Sequence, residues 1–331
     1  MFPTLGYLLR YLTGWNLRLP VPTFGFFMAL AFWAAYIVFT LELRRKLLRG
    51  GAGGPGGDVR GASGAVVSGA APGAAGAMQG GAVPAAPDVR RLMDRLLLWC
   101  GLIGFTGALL LAKLEDTYNL FHHPWRWLIR YHGLTYFGGL LFGAVAFFII
   151  LRRRGIPLAV AADIGSPGMM LAYAIGRLGC HLAGDGDWGI VARVQKPGWL
   201  SWAPDWVWAA HYPHNVLRQG VFIPGCTGDY CAMLPDAVYP TSLYEAVVCF
   251  ALFVVLWGLR RRLLTPGLLF YIYTLMIGVE RFFVEYIRIT PRHALWGLAL
   301  TQAQGISLAC IAIGVTGIGY ILTRSAKKAY F

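Results

Sequence analysis

Charge is scarce in this sequence. Of its 331 residues only 13% are Asp, Glu, Lys or Arg, and just 15 are acidic. A soluble domain carries roughly 25% charged residues, so this chain cannot cover a water-facing surface, and a soluble globular enzyme is excluded. Hydrophobic residues make up 57% and the mean hydropathy is +0.57, which excludes disorder for most of the length. The shortage of charge is one-sided. Lys and Arg number 29, giving a net charge of +14, a balance that in a soluble protein would point to nucleic acid. In a membrane protein such an excess marks cytoplasmic loops, so the positions of the charges decide. Large side chains are scarce in one place only, residues 50–87, which are mainly Gly, Ala, Pro and Ser. Nothing there offsets the entropy of ordering, and a flexible cytoplasmic loop is expected.

What the sequence has in abundance is long apolar runs. A spanning helix needs about 20 mostly apolar residues, and seven stretches meet that length: 22–41, 94–114, 134–151, 157–180, 241–259, 266–287 and 299–323. The fourth is interrupted by Asp163, Pro167 and several glycines. The expected fold is all-α, a polytopic membrane protein forming a single integral membrane domain over 1–331. Basic clusters follow the first, third, fifth and seventh stretches and precede the second: Arg44, Arg45, Lys46 and Arg49; Arg152 to Arg154; Arg260 to Arg262; Arg324, Lys327 and Lys328; and Arg90, Arg91 and Arg95. With seven spans, all fall on one side. By the positive-inside rule that side is the cytoplasm, with the N-terminus outside and the C-terminus inside. The +14 is thereby explained without nucleic acid.

Residues 1–20 read as an amphipathic interfacial helix on the outer face. No basic n-region precedes the first apolar run in the manner of a secretory signal. The outer face carries the loop regions 115–133 and 181–240, the second of which holds five of the 12 tryptophans, as expected of a segment resting on an interface. Four of the six cysteines lie in or at apolar stretches and read as packing residues. Cys226 and Cys231 sit in the outer loop as GCTGDYC. In an oxidising exterior a disulfide is expected there rather than a metal site, since no histidine pair completes a ligand set.

Ionisable groups at membrane depth cost at least ~2.5 kcal/mol each, so they are functional candidates. They are Asp163, Arg177, Glu245, Glu280, Arg281 and Glu285, while Lys113 and Arg288 lie near stretch ends, where long side chains snorkel to the interface. Along GVERFFVEYIR, Arg281, Glu285 and Arg288 share one narrow stripe and Glu280 lies about a quarter-turn away. An internal ion pair tying helices together is one reading of that stripe. The other is an anion site: two arginines on separate helices, each with a planar fork suited to a phosphodiester, point to an anionic lipid headgroup.

These segments also carry a resemblance. GRLGCHLAGDGDWG at 176–189, its lead-in DIGSPGMMLAYAIGR, YPTSLYE at 239–245, GVERFFVEYIR at 278–288 and QGIS at 304–307 occur in the order and form typical of the prolipoprotein diacylglyceryl transferases. TFGFFMALAF at 23–32 and FGGLLFG at 137–143 complete the set. The resemblance implies seven spans with the N-terminus outside, in a bacterial cytoplasmic (inner) membrane. It implies transfer of a diacylglyceryl group from phosphatidylglycerol to the lipobox cysteine thiol of a prolipoprotein, without metal or organic cofactor. Arg177 and Arg281 are then expected to grip the phosphate, with Glu285 orienting Arg281 or handling a proton. Tyr244 and Glu245 would orient polar neighbours, and Gly176, Gly179, Asp187, Gly189, Gly138 and Gly139 would support the site. Phe137 stands where many members carry a histidine treated as catalytic, and Phe24 where many carry a tyrosine. The expected proton acceptor is therefore another group: His181, one helical turn beyond Arg177, with Asp185, Asp187 and Glu285 as alternatives. Two rival readings are a transporter, which predicts internal repeats or paired broken helices, and an inactive relative that binds anionic lipid.

Overall fold

The computed structural model describes residues 1–15, 19–52, 86–115, 125, 136–289, 293–295 and 298–329. Each of the seven apolar stretches contains a helix. In chain order the helices are α1 Leu5–Thr13, α2 Thr23–Ala52, α3 Ala86–Glu115, α4 Tyr136–Arg153, α5 Leu158–Ala183, α6 Thr241–Leu259, α7 Leu268–Val284 and α8 Gln302–Ala329. Between α5 and α6 lie two 3-10 turns, Gly198–Leu200 and Asp205–Val207, and the hairpin β1 Val221–Phe222 and β2 Ala232–Met233; a second hairpin, β3 His293–Leu295 and β4 Leu298–Leu300, precedes α8. Among the described residues, five helices are long and apolar enough to cross a membrane, over Thr23–Lys46, Arg91–Leu114, Leu158–Ala183, Thr241–Leu259 and Gln302–Arg324. The fold is that of a mainly helical polytopic membrane protein. Of the loop expected at 50–87, residues 53–85 lie outside the described residues, and both ends continue the flanking helices.

The chain forms two compact units, Met1–Phe39 with Ala162–Phe331, and Thr40–Ala161. In the second, α3 and α4 pack through glycines. A Cβ on Gly138 would lie 2.3 Å from the Gly107 carbonyl oxygen, and one on Gly107 would lie 2.4 Å from Phe142 Cγ. Gly104 faces the Gly139 carbonyl in the same way, at 3.1 Å. The paired Gly138 and Gly139 are thus contact residues between two helices, where small side chains let backbones approach. The side chain of Phe137 lies outside the described residues.

In the first unit α5 is continuous, although Asp163, Pro167 and glycines had pointed to an interruption. Pro167 removes one helix hydrogen bond, yet the helix gains packing at that level, where Gly168 sits against Phe39 and the Ala35 carbonyl of α2. Asp163 is fully enclosed and accepts hydrogen bonds from the backbone N–H groups of Gly267 (2.9 Å) and Phe270 (3.0 Å). It therefore caps the N-terminus of α7 from a neighbouring helix, satisfying donors that a helix start leaves orphaned. Met170, Ala174, Cys249, Leu256 and Leu269 form the buried core shared by α5, α6 and α7. Gly278, Gly314 and Gly317 let α7 and α8 touch: a Cβ at any of them would overlap Ser307, Leu275 or Tyr271. The start of α8 is a capping box, with Gln304 N–H donating to Thr301 Oγ1 and Thr301 N–H to Gln304 Oε1, both at 3.1 Å.

Residues 184–240 form an irregular layer over the α5 and α6 ends. Its core is Trp188, Ala210, Tyr212, Leu234 and Val238. Asn215, fully buried, donates to the carbonyls of Tyr212, Gln219 and Ala232 and accepts from Gln219 N–H. These bonds hold a chain whose Tyr212, His214 and Arg218 lie at positive φ, a conformation that needs such external support. Cys226 and Cys231 are joined by a disulfide.

Candidate active site

Where α5, α6 and α7 reach the irregular layer, three arginines and three carboxylates form one network. Glu245, fully buried in the first turns of α6, is its centre. Its Oε2 accepts from Arg177 Nε at 2.5 Å, and its Oε1 from Arg281 Nη1 at 2.8 Å and Arg288 Nη1 at 3.3 Å. Asp187 lies on the other side, one oxygen against Arg177 Nη1 and the other against Arg288 Nη2. Arg281 Nη2 also meets Glu285 Oε2 at 3.0 Å, one helical turn on. Tyr173 completes the wall, its hydroxyl 3.4 Å from Glu245 and its ring 5.0 Å from the Arg177 guanidinium. A cation above a ring face is attracted by the quadrupole.

The local sequence explains why these groups meet. Tyr173 and Arg177 are four residues apart on α5, hence on one face. Gly179 brings α5 against α2, since a Cβ there would lie 2.6 Å from Phe27 Cβ, and Gly176 faces Met28. After α5 the chain turns through Gly184 and Gly186, both at positive φ, and delivers Asp187 back over Arg177. Gly189 then wedges between two strands of backbone: its N–H donates to the Tyr239 carbonyl and Ile190 N–H to the Ile287 carbonyl. A Cβ at 189 would lie 2.5 Å from that Ile287 oxygen. Thr241 Oγ1 donates to the Asp187 carbonyl at 2.9 Å, pinning the turn to the start of α6.

Burial opposes ionisation of Asp187, but Arg177 and Arg288 outweigh it and hold its carboxyl below the usual aspartate range. Asp185 is the reverse case, raised by burial and by the like charge of Asp187. Cys180, Asp185 and Asp187 offer ligand atoms within 4.8 Å of one another, but both Asp187 oxygens already face arginines. Each guanidinium has five N–H donors and spends two on the network, so further donors remain on each. Arg177, Arg281 and Arg288 keep 16%, 23% and 14% of their side chains exposed. The arrangement can present several fixed positive donors to one anion.

Of the residues singled out from the sequence, Arg177, Arg281, Glu245, Glu285 and Asp187 are brought together here. Gly176, Gly179 and Gly189 position them by close approach. Tyr244 is not in the network; its hydroxyl donates to the Trp208 carbonyl at 3.0 Å and ties α6 to the irregular layer. His181 shares the Arg177 face of α5, because the helix runs on past Gly179 to Ala183. Its Nδ1 lies 3.1 Å from Tyr212 Oη and its ring stacks on Trp206 at 6.0 Å. Arg288 is the correction. Snorkelling at a stretch end would leave it in the interface, whereas it bridges Glu245 and Asp187. The signal was the 281, 285, 288 spacing itself. Tyr173 was not singled out, and only its spacing from Arg177 marks it.

Comparison with known proteins adds an independent line. A family model described as prolipoprotein diacylglyceryl transferase matches residues 65–320. A Streptomyces coelicolor protein named phosphatidylglycerol–prolipoprotein diacylglyceryl transferase 1 is 28% identical over 65% of this chain and 56% of its own length. Proteins of the same name, without the numeral, are similar in Corynebacterium diphtheriae, at 30% identity over 55% of this chain and 60% of that protein, and in Bacillus cereus, at 32% over 56% and 60%. The match thus spans between 56% and 60% of the length of these curated relatives.

Proposed function

This chain belongs to the prolipoprotein diacylglyceryl transferase family, and from that premise we propose that it transfers a diacylglyceryl group from phosphatidylglycerol to the lipobox cysteine of prolipoproteins. The observation that carries the proposal is the convergence of Arg177, Arg281 and Arg288 on Glu245, with donors of each to spare. In the reaction the cysteine thiolate attacks the glyceryl carbon bonded to the phosphate oxygen. A C–S bond forms, the C–O bond breaks, and its electron pair leaves on the phosphate of the departing glycerol phosphate. The departing oxygen gains charge as the bond lengthens, and guanidinium donors already held in place stabilise it most where water is excluded. Arg177 and Arg281 grip the phosphate, Glu245 and Asp187 fix the guanidinium planes, and Glu285 orients Arg281.

The thiol must lose its proton first. We assign this to His181, one turn outward of Arg177. For Nε2 to accept a proton, Nδ1 must carry the hydrogen and donate it, and the Tyr212 hydroxyl 3.1 Å away can accept it. The membrane arrangement belongs to the same reading: seven spans in the bacterial inner membrane, the N-terminus outside, the C-terminus and 50–87 in the cytoplasm, and 181–240 outside. Both substrates then reach the arginines from the outer leaflet. The basic clusters beside α2, α4, α6 and α8 support this orientation.

Transfer of lipid to a lipobox peptide by purified protein tests the proposal. Arg177→Lys and Arg281→Lys keep the charge but lose the planar fork, and each should lower turnover by roughly 100-fold. Near-normal rates in both well-folded variants would reduce the arginines to charge balance.

A further inference from the structure

One carboxylate in this region has no place in the network. Glu280 precedes Arg281 on α7 and is 5% exposed. Neither of its carboxyl oxygens has a hydrogen-bond partner among the described residues. The groups that face it electrostatically are Tyr173 and Arg177 of α5, Glu245 and Cys249 of α6, Arg281 beside it, and Arg288. On the α8 side, Cys310 packs at Gly278, two residues earlier.

The charges already balance without it. Three guanidinium groups meet the three carboxylates of Asp187, Glu245 and Glu285. An ionised Glu280 would add a fourth negative charge to an enclosed site with no donor to receive it among the described residues, a cost of several kcal/mol. A neutral carboxylic acid there costs only an unmade hydrogen bond. The same arithmetic bears on an incoming anion. With Glu280 neutral, a phosphodiester brings the site to one net negative charge; with Glu280 ionised, to two.

We propose that Glu280 is a positioning residue of the anion site that must hold a proton for the site to accept an anionic headgroup, so that its ionisation expels the anion. This rests on reading the arginine layer as the phosphate site. Glu280 acts through Arg281 and Glu245 rather than by touching the headgroup, because its carboxyl oxygens are enclosed. Anion binding is then coupled to one proton.

The test uses the full chain in zwitterionic detergent, with dihexanoyl phosphatidylglycerol as probe and the matching phosphatidylcholine as control. Affinity is followed from about pH 6 to about pH 10. Wild-type affinity for phosphatidylglycerol should fall at least roughly tenfold as pH rises, the effect of one unit charge a few ångströms away at an effective dielectric of ~20. Glu280→Gln, neutral at every pH and of the same shape, should show a flat profile. Glu280→Asp, still ionisable, should keep the fall. A Gln profile that superposes on wild type overturns the proposal, as does a flat wild-type profile, which needs no variant to fold. Equal affinity for both lipids at every pH in wild type removes the phosphate site itself, and this inference with it. Binding of phosphatidylglycerol with identical profiles in all three proteins leaves the site standing and rejects Glu280 alone.

Discussion

The α5 and α7 helices meet two buried carboxylate problems, one at each end, and solve them differently. At one end Asp163 accepts two backbone N–H groups from the start of α7 and is thereby satisfied. At the other, Glu245 and Asp187 share three arginines whose forks retain unspent donors. A charge at membrane depth does not identify a site, since both ends have one. The partner does. Each backbone N–H is a single donor, and the two at this cap are used by Asp163, whereas a cluster of guanidinium groups is left with capacity for a further anion.

The comparison breaks hardest at Glu245. Glu245→Ala removes the acceptor common to Arg177, Arg281 and Arg288 and leaves the three cations with only Asp187 and Glu285 as partners. Losing one partner of a buried pair costs about 3–5 kcal/mol, and here three pairs are lost together. Lipid transfer should vanish, and thermal unfolding in detergent should move well below wild type. Retained transfer in this variant would mean that the network neither builds nor holds the site. Asp163→Asn sets the other end apart. The amide keeps one acceptor oxygen but loses the charge that favours a helix start. Stability should fall by about 1–2 kcal/mol while turnover per folded molecule stays at the wild-type level. A selective loss of turnover would erase the distinction between the two ends.

The same contrast governs how much could be read from the sequence. Helices were legible because apolar length is a property of the chain alone, and each of the seven stretches contains one. The unbroken course of α5 was not, because Pro167 and Gly168 weaken a helix by local rules and the packing of Ala35 and Phe39 against them is tertiary. Arg177, Arg281 and Glu285 stood out as charges in apolar surroundings. Arg288 did not, because its distance from the apolar run made an interfacial position equally good; only the return of the chain at Asp187 and Gly189 closes over it. Gln304 and Asp163 belong to motifs but work as helix caps. A repeated motif residue can serve geometry as well as chemistry, and its hydrogen-bond partner separates the two.

The smallest expected effect sharpens the comparison inside a single turn. Asp185 and Asp187 are two residues apart, yet their surroundings push them in opposite directions. Arginines overcome burial at Asp187 and lower its pKa, whereas burial, aided by the like charge of Asp187, raises that of Asp185. For Asp187 the ionised form is favoured by folding, so its stabilisation is complete above the ordinary aspartate value of about 3.9 and is lost as pH falls toward the depressed value. For Asp185 the neutral form is favoured, so its contribution is complete below about 3.9 and is lost as pH rises through the elevated value. Asp185→Asn should therefore leave stability unchanged near pH 4 and raise it slightly near pH 8, on the order of 1 kcal/mol or less for a partly exposed group. The backbone N–H of Asp187 donates to Asp185 Oδ1, an acceptor that asparagine keeps, so the turn itself is preserved. Asp187→Asn should do the opposite at pH 8 and destabilise the protein by more, because two guanidinium groups lose a charged partner. Unfolding of both variants in detergent at the two pH values measures the difference. Two shifts of the same sign at pH 8 would show that the arginines do not discriminate between these neighbouring carboxylates.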